Sequence, residues 1–151
     1  MIEYFEDLRI GQIFRAGPIL VTRERIIEFA SEFDQQPMHL SEAEAIGTLA
    51  GELIASGWHT GAVTMRLLTD GAMPKLGGKG IGAGVEQMNW PNPVRPGDLL
   101  SAESEILDLR RSKSNPTRGV MRLRTITTQQ DGKVVQSITA NMIIPCRTEG
   151  A

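Results

Sequence analysis

One apolar helix beside a strand-rich second half is the feature that most constrains the fold of this chain. Residues 56–70 have helical spacing and carry apolar side chains around most of the circumference, which is typical of a core helix. The sequence beyond this segment predicts four strands, at residues 81–90, 99–111, 118–130 and 133–144. A sheet of such strands must bury one face, and this helix is hydrophobic enough to fill its concavity. We therefore predict an α+β domain with an antiparallel sheet wrapped around a central helix.

Two turn signals predict how the strands are connected. Asp131-Gly132 separates the last two strands, and this pair is preferred in type I′ turns, so we predict a tight hairpin there. Gly17-Pro18 predicts a break between two short paired strands, at residues 12–16 and 19–21.

Capping residues predict where the helices begin and end. Thr22 is the expected N-cap of an amphipathic first helix over residues 23–33. Ser41 and Glu44 have the spacing of a capping box, which predicts a second, short helix. Gly71 is the expected left-handed C-cap of the central helix.

The composition fits one domain without a membrane segment or a nucleic-acid surface. The chain has 151 residues, 40% of them hydrophobic, so we predict a single domain over residues 1–151. Its formal charge of -2 gives no broad positive field, and no apolar run approaches the roughly 20 residues that cross a bilayer. The single cysteine, Cys146, excludes an intramolecular disulfide and a cysteine cluster for zinc. The acidic start of the chain does not have the pattern of a secretory signal, so we expect a cytoplasmic protein.

The segment after the first helix places a carboxylate near an imidazole. Asp34 and His39 lie five residues apart around Pro37, which fixes its own φ and pushes Gln36 towards extended backbone. This spacing allows both side chains to face one water molecule. The alternative is a plain helix-ending turn, in which Asp34 caps a backbone amide and His39 is half-buried.

Gly57 lies at the predicted start of the central helix. The first amides of a helix have no internal partner and the dipole is positive there, so an oxygen that gains negative charge is stabilised at this point. Glycine also lets a ligand approach the backbone closely. Next to Asp34 and His39, this amide would be an oxyanion donor beside an acid–base pair. The alternative is that Gly57 only relieves packing between helix and sheet.

Three motifs occur in order along the chain. They are Asp34-x-Gln36-Pro37-x-His39, Ala55-Ser56-Gly57-Trp58-His59-Thr60 and Pro93-Val94-Arg95-Pro96-Gly97-Asp98. Together they resemble the MaoC-like dehydratases, a family that includes the R-specific enoyl-CoA hydratases. The resemblance implies a hot-dog fold and a homodimer, or a larger oligomer, with sites near the subunit interface.

The resemblance also implies a reaction and a role for each site residue. The reaction is the reversible addition of water to a trans-2-enoyl thioester of fatty acid metabolism, which makes the protein a hydro-lyase. Asp34 and His39 would deprotonate the water that adds to C3 and return a proton at C2. Gly57 would bind the thioester oxygen, with Gln36 and Ser56 as further substrate contacts. No metal or other cofactor is implied, because coenzyme A or acyl-carrier protein enters as part of the substrate.

This chain differs from the family's hydratases at three positions. Gln36 stands where they usually carry asparagine, and Ser56 stands where histidine is frequent. Met65 lies near the position of a serine that is thought to support the aspartate. We expect the difference at Gln36 to affect substrate choice and the difference at Met65 to affect the rate.

Several alternatives remain open at the level of sequence. The same fold hosts acyl-CoA thioesterases, and a third possibility is a non-catalytic acyl-thioester-binding protein. His59 is either a metal ligand beside Asp34 and His39 or a packing residue. Six basic residues surround one strand connection, as a site for coenzyme A phosphates or a solvated rim: Arg110, Arg111, Lys113, Arg118, Arg122 and Arg124.

Overall fold

The computed structural model describes residues 1–148, whose five strands form one antiparallel sheet around a central helix. The helices are α1 (Arg23–Phe33), α2 (Pro37–Leu40), α3 (Glu42–Ala45) and α4 (Gly57–Leu67), with a 3-10 turn at Phe5–Asp7 and a π-helical turn at Leu68–Ala72. The strands are β1 (Ile13–Leu20), β2 (Ile81–Asn89), β3 (Leu99–Arg111), β4 (Arg118–Thr128) and β5 (Val134–Pro145). Their order in the sheet is β1-β3-β4-β5-β2. The predicted α+β class is confirmed.

The four strands of the second half lie where the sequence predicts them, but the first strand differs. Residues 12–16 and 19–21 do not pair with each other, because β1 runs through both segments and pairs with β3. The register of this pairing shifts between Ala16 and Ile19. Proline has no N–H for the ladder, so Gly17-Pro18 interrupts the pairing of an edge strand without reversing the chain.

The hairpin between β4 and β5 is confirmed, but its turn is not of the predicted type. The N–H of Gln129 donates to the carbonyl of Lys133, and the N–H of Gly132 donates to the carbonyl of Gln129. Three residues therefore form the loop. Gly132 has a φ of 83° whereas Asp131 has a negative φ, and a type I′ turn needs positive values at both. A three-residue loop with glycine in the left-handed position fits this backbone.

The helix starts follow the predicted caps, whereas one predicted end is wrong. The hydroxyl of Thr22 accepts a hydrogen bond from the N–H of Arg25 at 3.2 Å. The hydroxyl of Ser41 accepts one from the N–H of Glu44, also at 3.2 Å. Gly71 is not a left-handed cap, because its φ of 164° is extended backbone. The chain leaves α4 through the π-helical turn instead.

The face of α4 towards the sheet is more polar than the sequence predicts. Its buried residues are His59, Thr60, Thr64 and Leu67. Trp58 and Met65 are 63% and 49% exposed, so the expectation that this helix is buried around most of its circumference is wrong. The apolar core comes largely from α1 and the strands, with Ile26, Leu100, Ile106, Met121, Val135 and Ile144 fully buried.

Two pairs of buried hydroxyl groups form hydrogen bonds in the interior. The hydroxyl oxygens of Thr64 and Thr127 are 2.7 Å apart, and both residues are almost fully buried. Ser104 and Thr125 form a second buried pair, also at 2.7 Å. Each pair satisfies polar groups that have lost their contact with water, and the pair with Thr127 accommodates Thr64 of the helix in the interior.

We predict that the hydroxyls of Thr64 and Thr127 are coupled. Thr64→Val leaves the Thr127 hydroxyl buried without its partner, and should lower the free energy of unfolding by about 1–3 kcal/mol. The double variant Thr64→Val/Thr127→Val removes both polar groups and should cost less than the sum of the two single variants. Urea unfolding of the four proteins measures this difference, and strictly additive costs would contradict the coupling.

Candidate active site

The candidate site begins where α1 ends. Asp34 is the C-cap of α1, and its N–H donates to the carbonyl of Ala30. Gln36 has the extended backbone that the following proline predicts, with φ -95° and ψ 145°. Pro37 then begins the single helical turn α2, which carries His39. Proline suits the first position of a helix because the N–H it lacks would have no partner there.

Both oxygens of the Asp34 carboxylate accept hydrogen bonds. The Ser56 hydroxyl donates to Oδ2 at 2.6 Å, and the Gln36 side-chain amide donates to Oδ1 at 2.7 Å. Burial raises the pKa of Asp34, but these two hydrogen bonds and the neighbouring His39 hold it below its ordinary value. The carboxylate is therefore ionised at neutral pH.

A hydrogen bond to a backbone carbonyl fixes the orientation of the His39 ring. Its Nδ1 lies 2.7 Å from the carbonyl oxygen of Ile54, which can only accept, so Nδ1 carries the hydrogen. In the neutral ring Nε2 then has a free lone pair, and this atom lies 3.5 Å from Oδ2 of Asp34. The side chain of His39 is only 8% exposed and that of Asp34 is 14% exposed. Both side chains thus lie at the edge of the interior, with Nε2 of His39 directed towards Oδ2 of Asp34.

The start of α4 lies against this pair. Ser56 is the N-cap of α4, and its hydroxyl accepts a hydrogen bond from the N–H of Trp58 at 3.2 Å. Gly57 is the first residue of the helix, so its N–H has no acceptor within α4. A Cβ on Gly57 would lie 2.6 Å from the ring of Trp90, so any larger residue would displace this indole. The glycine is therefore required by the close approach of Trp90.

A cavity of about 510 Å³ lies beside His39 and Gly57. Its lining is mostly apolar and includes the ring of Trp90. Arg95 and Glu52 also line it and are paired, with Arg95 Nε 2.6 Å from a Glu52 carboxylate oxygen. Asp34 and Ser56 do not line the cavity. Asp34 lies next to His39, and Ser56 precedes Gly57, and both of these neighbours do line it. A molecule in the cavity therefore meets His39 and the helix start directly.

His59 does not join the predicted pair. Its ring stacks on Phe29 with a centroid distance of 4.9 Å and an interplanar angle of 8°. Burial lowers the pKa of His59, and the positive charge of Arg25 lowers it further. Within residues 1–148, no three His, Cys, Asp or Glu side chains are grouped closely enough to hold a metal ion. His59 is thus a packing residue in this structure.

Three of the six basic residues near the β3–β4 connection form surface ion pairs. Arg111 contacts Glu6 at 2.5 Å, Arg122 contacts Glu86 at 2.9 Å and Arg124 contacts Glu105 at 2.8 Å. This pairing favours a solvated rim over a phosphate site.

No helix within residues 1–148 has the length and apolar content needed to span a bilayer.

The structure brings together all five residues that the sequence singled out: Asp34, Gln36, His39, Ser56 and Gly57. Sequence reasoning missed the Ile54 carbonyl that orients the imidazole and the indole of Trp90 that packs on the glycine. No local signal predicts either contact. The position of Ser56, one residue before a helix start, indicates an N-cap. It does not indicate the hydrogen bond from Ser56 to the carboxylate of Asp34.

We predict that Gly57→Ala disturbs the two neighbouring indoles. The added methyl group must push Trp90 away, which should lower the free energy of unfolding by about 1–3 kcal/mol. It should also change the near-ultraviolet circular dichroism of Trp58 and Trp90, whose ring centroids are 5.4 Å apart. Gly47→Ala is the matched control, because a Cβ there meets open space. Equal stability and identical spectra for the two variants would contradict the packing.

Comparison with known proteins agrees with this architecture. Residues 7–129 match the family model described as a MaoC like domain. The crystal structure of the MaoC-like dehydratase from Rhodospirillum rubrum is similar, with a TM-score of 0.90 and 44% identity over 96% of this chain and 98% of that chain. The unliganded R-hydratase PhaJ1 from Pseudomonas aeruginosa has a TM-score of 0.71 and 27% identity over 98% of this chain and 91% of its own.

A curated relative extends the comparison at the level of sequence. The 3-hydroxybutyryl-CoA dehydratase of Methylorubrum extorquens is 31% identical over 109 residues, which are 70% of this chain and 65% of that protein. The matched part is thus slightly less than two thirds of the relative's length. With the family model covering most of the chain and the sheet wrapped around α4, this protein belongs to the MaoC-like dehydratase family and has the hot-dog fold.

Proposed function

We propose that this protein is a hydro-lyase that adds water reversibly to the C2–C3 double bond of a trans-2-enoyl thioester. Membership of the MaoC-like family supports a hydratase or dehydratase role at the coarser level. The observation that carries the finer proposal is the position of His39 Nε2, 3.5 Å from Oδ2 of Asp34, beside the unpaired helix start at Gly57. An acid–base pair and an oxyanion donor are the two groups that this reaction needs.

The pair is arranged to hold one water molecule. When the His39 ring is neutral, its Nε2 and the Oδ2 of ionised Asp34 are both acceptors, and a donor that bridges the two atoms relieves their repulsion. A water molecule has two hydrogens and can donate one to each atom. Its oxygen lone pairs then remain free, which is the orientation that an attacking nucleophile requires.

Proton transfer between the water molecule, the Asp34–His39 pair and the substrate accounts for the addition of hydroxyl at C3 and of hydrogen at C2. When the water oxygen bonds to C3 of the substrate, one of its protons passes to the Asp34–His39 pair. The π electrons of the double bond shift towards C1 and place negative charge on the thioester oxygen. The pair then returns the proton to C2, so one water is added and no group leaves.

Gly57 is proposed to stabilise the charge on the thioester oxygen. Its N–H lies in the first turn of α4, where the helix dipole adds partial positive charge. A preformed donor of this kind stabilises the enolate more than the ground-state carbonyl, because the charge on the oxygen grows along the reaction. The chemistry therefore proceeds with protein groups alone, and the carrier of the acyl chain is the only further component we propose.

The substrate class follows from the cavity and from the family. A mostly apolar space of about 510 Å³ beside His39 suits the acyl part of a thioester. The relative from Methylorubrum extorquens is named for 3-hydroxybutyryl-CoA, which is a short-chain substrate. We propose that the substrate is an acyl thioester of coenzyme A or acyl-carrier protein. We also propose that the protein is cytoplasmic. Screening crotonyl-, octenoyl- and branched enoyl-CoA for hydration identifies the preferred chain.

We predict that Asp34→Asn and His39→Gln each lower the rate of crotonyl-CoA hydration by at least about a hundredfold, because each removes one half of the proton-handling pair. The loss of enoyl absorbance, followed together with a thiol reagent, measures hydration and thioester hydrolysis in one assay. Asp70→Asn is the matched control, since Asp70 is a surface carboxylate paired with Arg66.

The outcomes of this assay separate the candidate functions. Absorbance loss without thiol release supports hydration, whereas thiol release from saturated acyl-CoA would identify a thioesterase. Tight acyl-CoA binding without turnover, unchanged in Asp34→Asn, would identify a binding protein. Full hydration activity in Asp34→Asn would contradict the proposed base.

The same proposal includes a homodimer formed through β2. This strand is a sheet edge that pairs with β5 alone among the described residues, and Val85 on it is 56% exposed. The exposed Trp58 and Met65 of α4 provide further apolar surface. An exposed sheet edge with apolar side chains favours association with another strand, and a second copy of the chain has the same edge to pair with it. Trp58 adjoins Gly57, so such an interface would border the site.

We predict that Val85→Glu weakens self-association, because it places a charge within this interface. The variant should elute as a monomer at concentrations where the unchanged protein is a dimer, as measured by size-exclusion chromatography with light scattering. Ile13→Glu is the matched control on the opposite sheet edge, where Ile13 is 40% exposed. Dissociation by Ile13→Glu alone would place the interface on β1 and contradict the proposal.

A further inference from the structure

A single buried hydroxyl connects the start of α4 to the carboxylate of Asp34. Ser56 is 0% exposed. Its oxygen accepts a hydrogen bond from the N–H of Trp58 at 3.2 Å and donates its own hydrogen to Oδ2 of Asp34 at 2.6 Å. A hydroxyl has one hydrogen to donate, so its donation to Asp34 excludes any other acceptor.

We propose that Ser56 is a positioning residue, which holds the Asp34 carboxylate in its working orientation and couples it to the positive end of α4. This inference rests on the proposed hydratase function, and it differs from the expectation that Ser56 contacts the substrate. Ser56 acts through Asp34 instead.

The geometry of the carboxylate favours this role over simple helix capping. Oδ2 is the oxygen that faces Nε2 of His39, and it is the oxygen that Ser56 holds. Gln36 holds the other oxygen, Oδ1. With one donor on each oxygen, the carboxylate plane cannot rotate freely. Oδ2 still has a lone pair left for a water molecule shared with His39.

The hydroxyl also transmits the polarity of the helix start. Because Ser56 accepts from a first-turn amide of α4, its own hydrogen is polarised and donates more strongly. A short hydrogen bond to an ionised acceptor is among the stronger kinds found in proteins. The bond from Ser56 contributes to the lowered pKa of Asp34, and it therefore keeps the carboxylate ionised as a proton acceptor.

The test compares Ser56→Gly with Ser56→Thr. Glycine is nearly as good an N-cap as serine, so Ser56→Gly removes the donor to Asp34 while leaving most of the capping effect in place. Threonine keeps the hydroxyl. Ser41→Gly is the matched control, because Ser41 also caps a helix and its hydroxyl also contacts a carboxylate, that of Glu44.

The first measurement is the titration of the Asp34 carboxyl carbon by NMR, with the signal assigned from Asp34→Asn. Loss of a donor to the ionised form raises the pKa, so Ser56→Gly should move the titration of Asp34 to higher pH. Ser56→Thr and Ser41→Gly should leave it near its original position. His39 is the titratable group that faces Asp34, so the titration is repeated in a His39→Gln background to separate the coupled groups.

The second measurement is the pH profile of hydration. Ser56→Gly should lower kcat by at least about tenfold with little change in KM, because a misaligned base affects the chemical step more than substrate binding. The acid limb of the kcat profile should move to higher pH, and Ser56→Thr should restore both properties. Equal losses of kcat in Ser56→Gly and Ser41→Gly would reduce Ser56 to a structural cap.

The two measurements distinguish failure of this inference from failure of the proposed function. The titration of Asp34 needs no turnover. An unchanged titration in Ser56→Gly overturns the positioning role, even in a protein that hydrates crotonyl-CoA. A shifted titration in a protein that hydrates none of the enoyl thioesters supports the coupling of Ser56 to Asp34 and overturns the hydratase assignment instead.

Discussion

The site depends on the hydrogen bond from Ser56 to Asp34, because it joins two segments that are 22 residues apart. One segment ends α1 and carries the carboxylate, and the other begins α4 and carries the unpaired amide of Gly57. The bond from His39 to the carbonyl of Ile54 makes a second connection between the same segments. These contacts together hold a carboxylate, an imidazole and a backbone donor within one small space beside the cavity.

The buried face of α4 is partly polar and its exposed face is partly apolar, and this pattern has a structural consequence. Its buried face includes Thr64, which is paired with Thr127, whereas Trp58 and Met65 face outwards. Paired hydroxyls are tolerated inside, but exposed apolar groups next to an unpaired strand favour association. The proposed homodimer would cover this surface on α4 and β2. Met65 is 49% exposed and has no hydrogen to donate, so it does not hold Asp34, whereas Ser56 does so from the helix start.

Local signals in the sequence predicted much of the fold and part of the site. Strand alternation, the N-cap at Thr22 and the helix start at Gly57 are properties of neighbouring residues, so the predictions based on them were correct. The polar face of α4 could not be predicted, because it depends on which strand residues lie opposite. The contact between Ser56 and Asp34 is tertiary, and the sequence indicated only that both residues lie near the site. The resemblance to a family placed these residues in one site but did not indicate their mutual contacts.

The central claim is that an enoyl thioester binds with its carbonyl oxygen at Gly57 and its C3 atom next to the Asp34–His39 pair. A crystal structure of the Asp34→Asn variant with crotonyl-CoA tests this directly. We expect the thioester oxygen within hydrogen-bonding distance of the Gly57 N–H, and a water molecule between Nε2 of His39 and C3. An acyl group bound in the cavity with its carbonyl oxygen directed away from Gly57 would contradict the account.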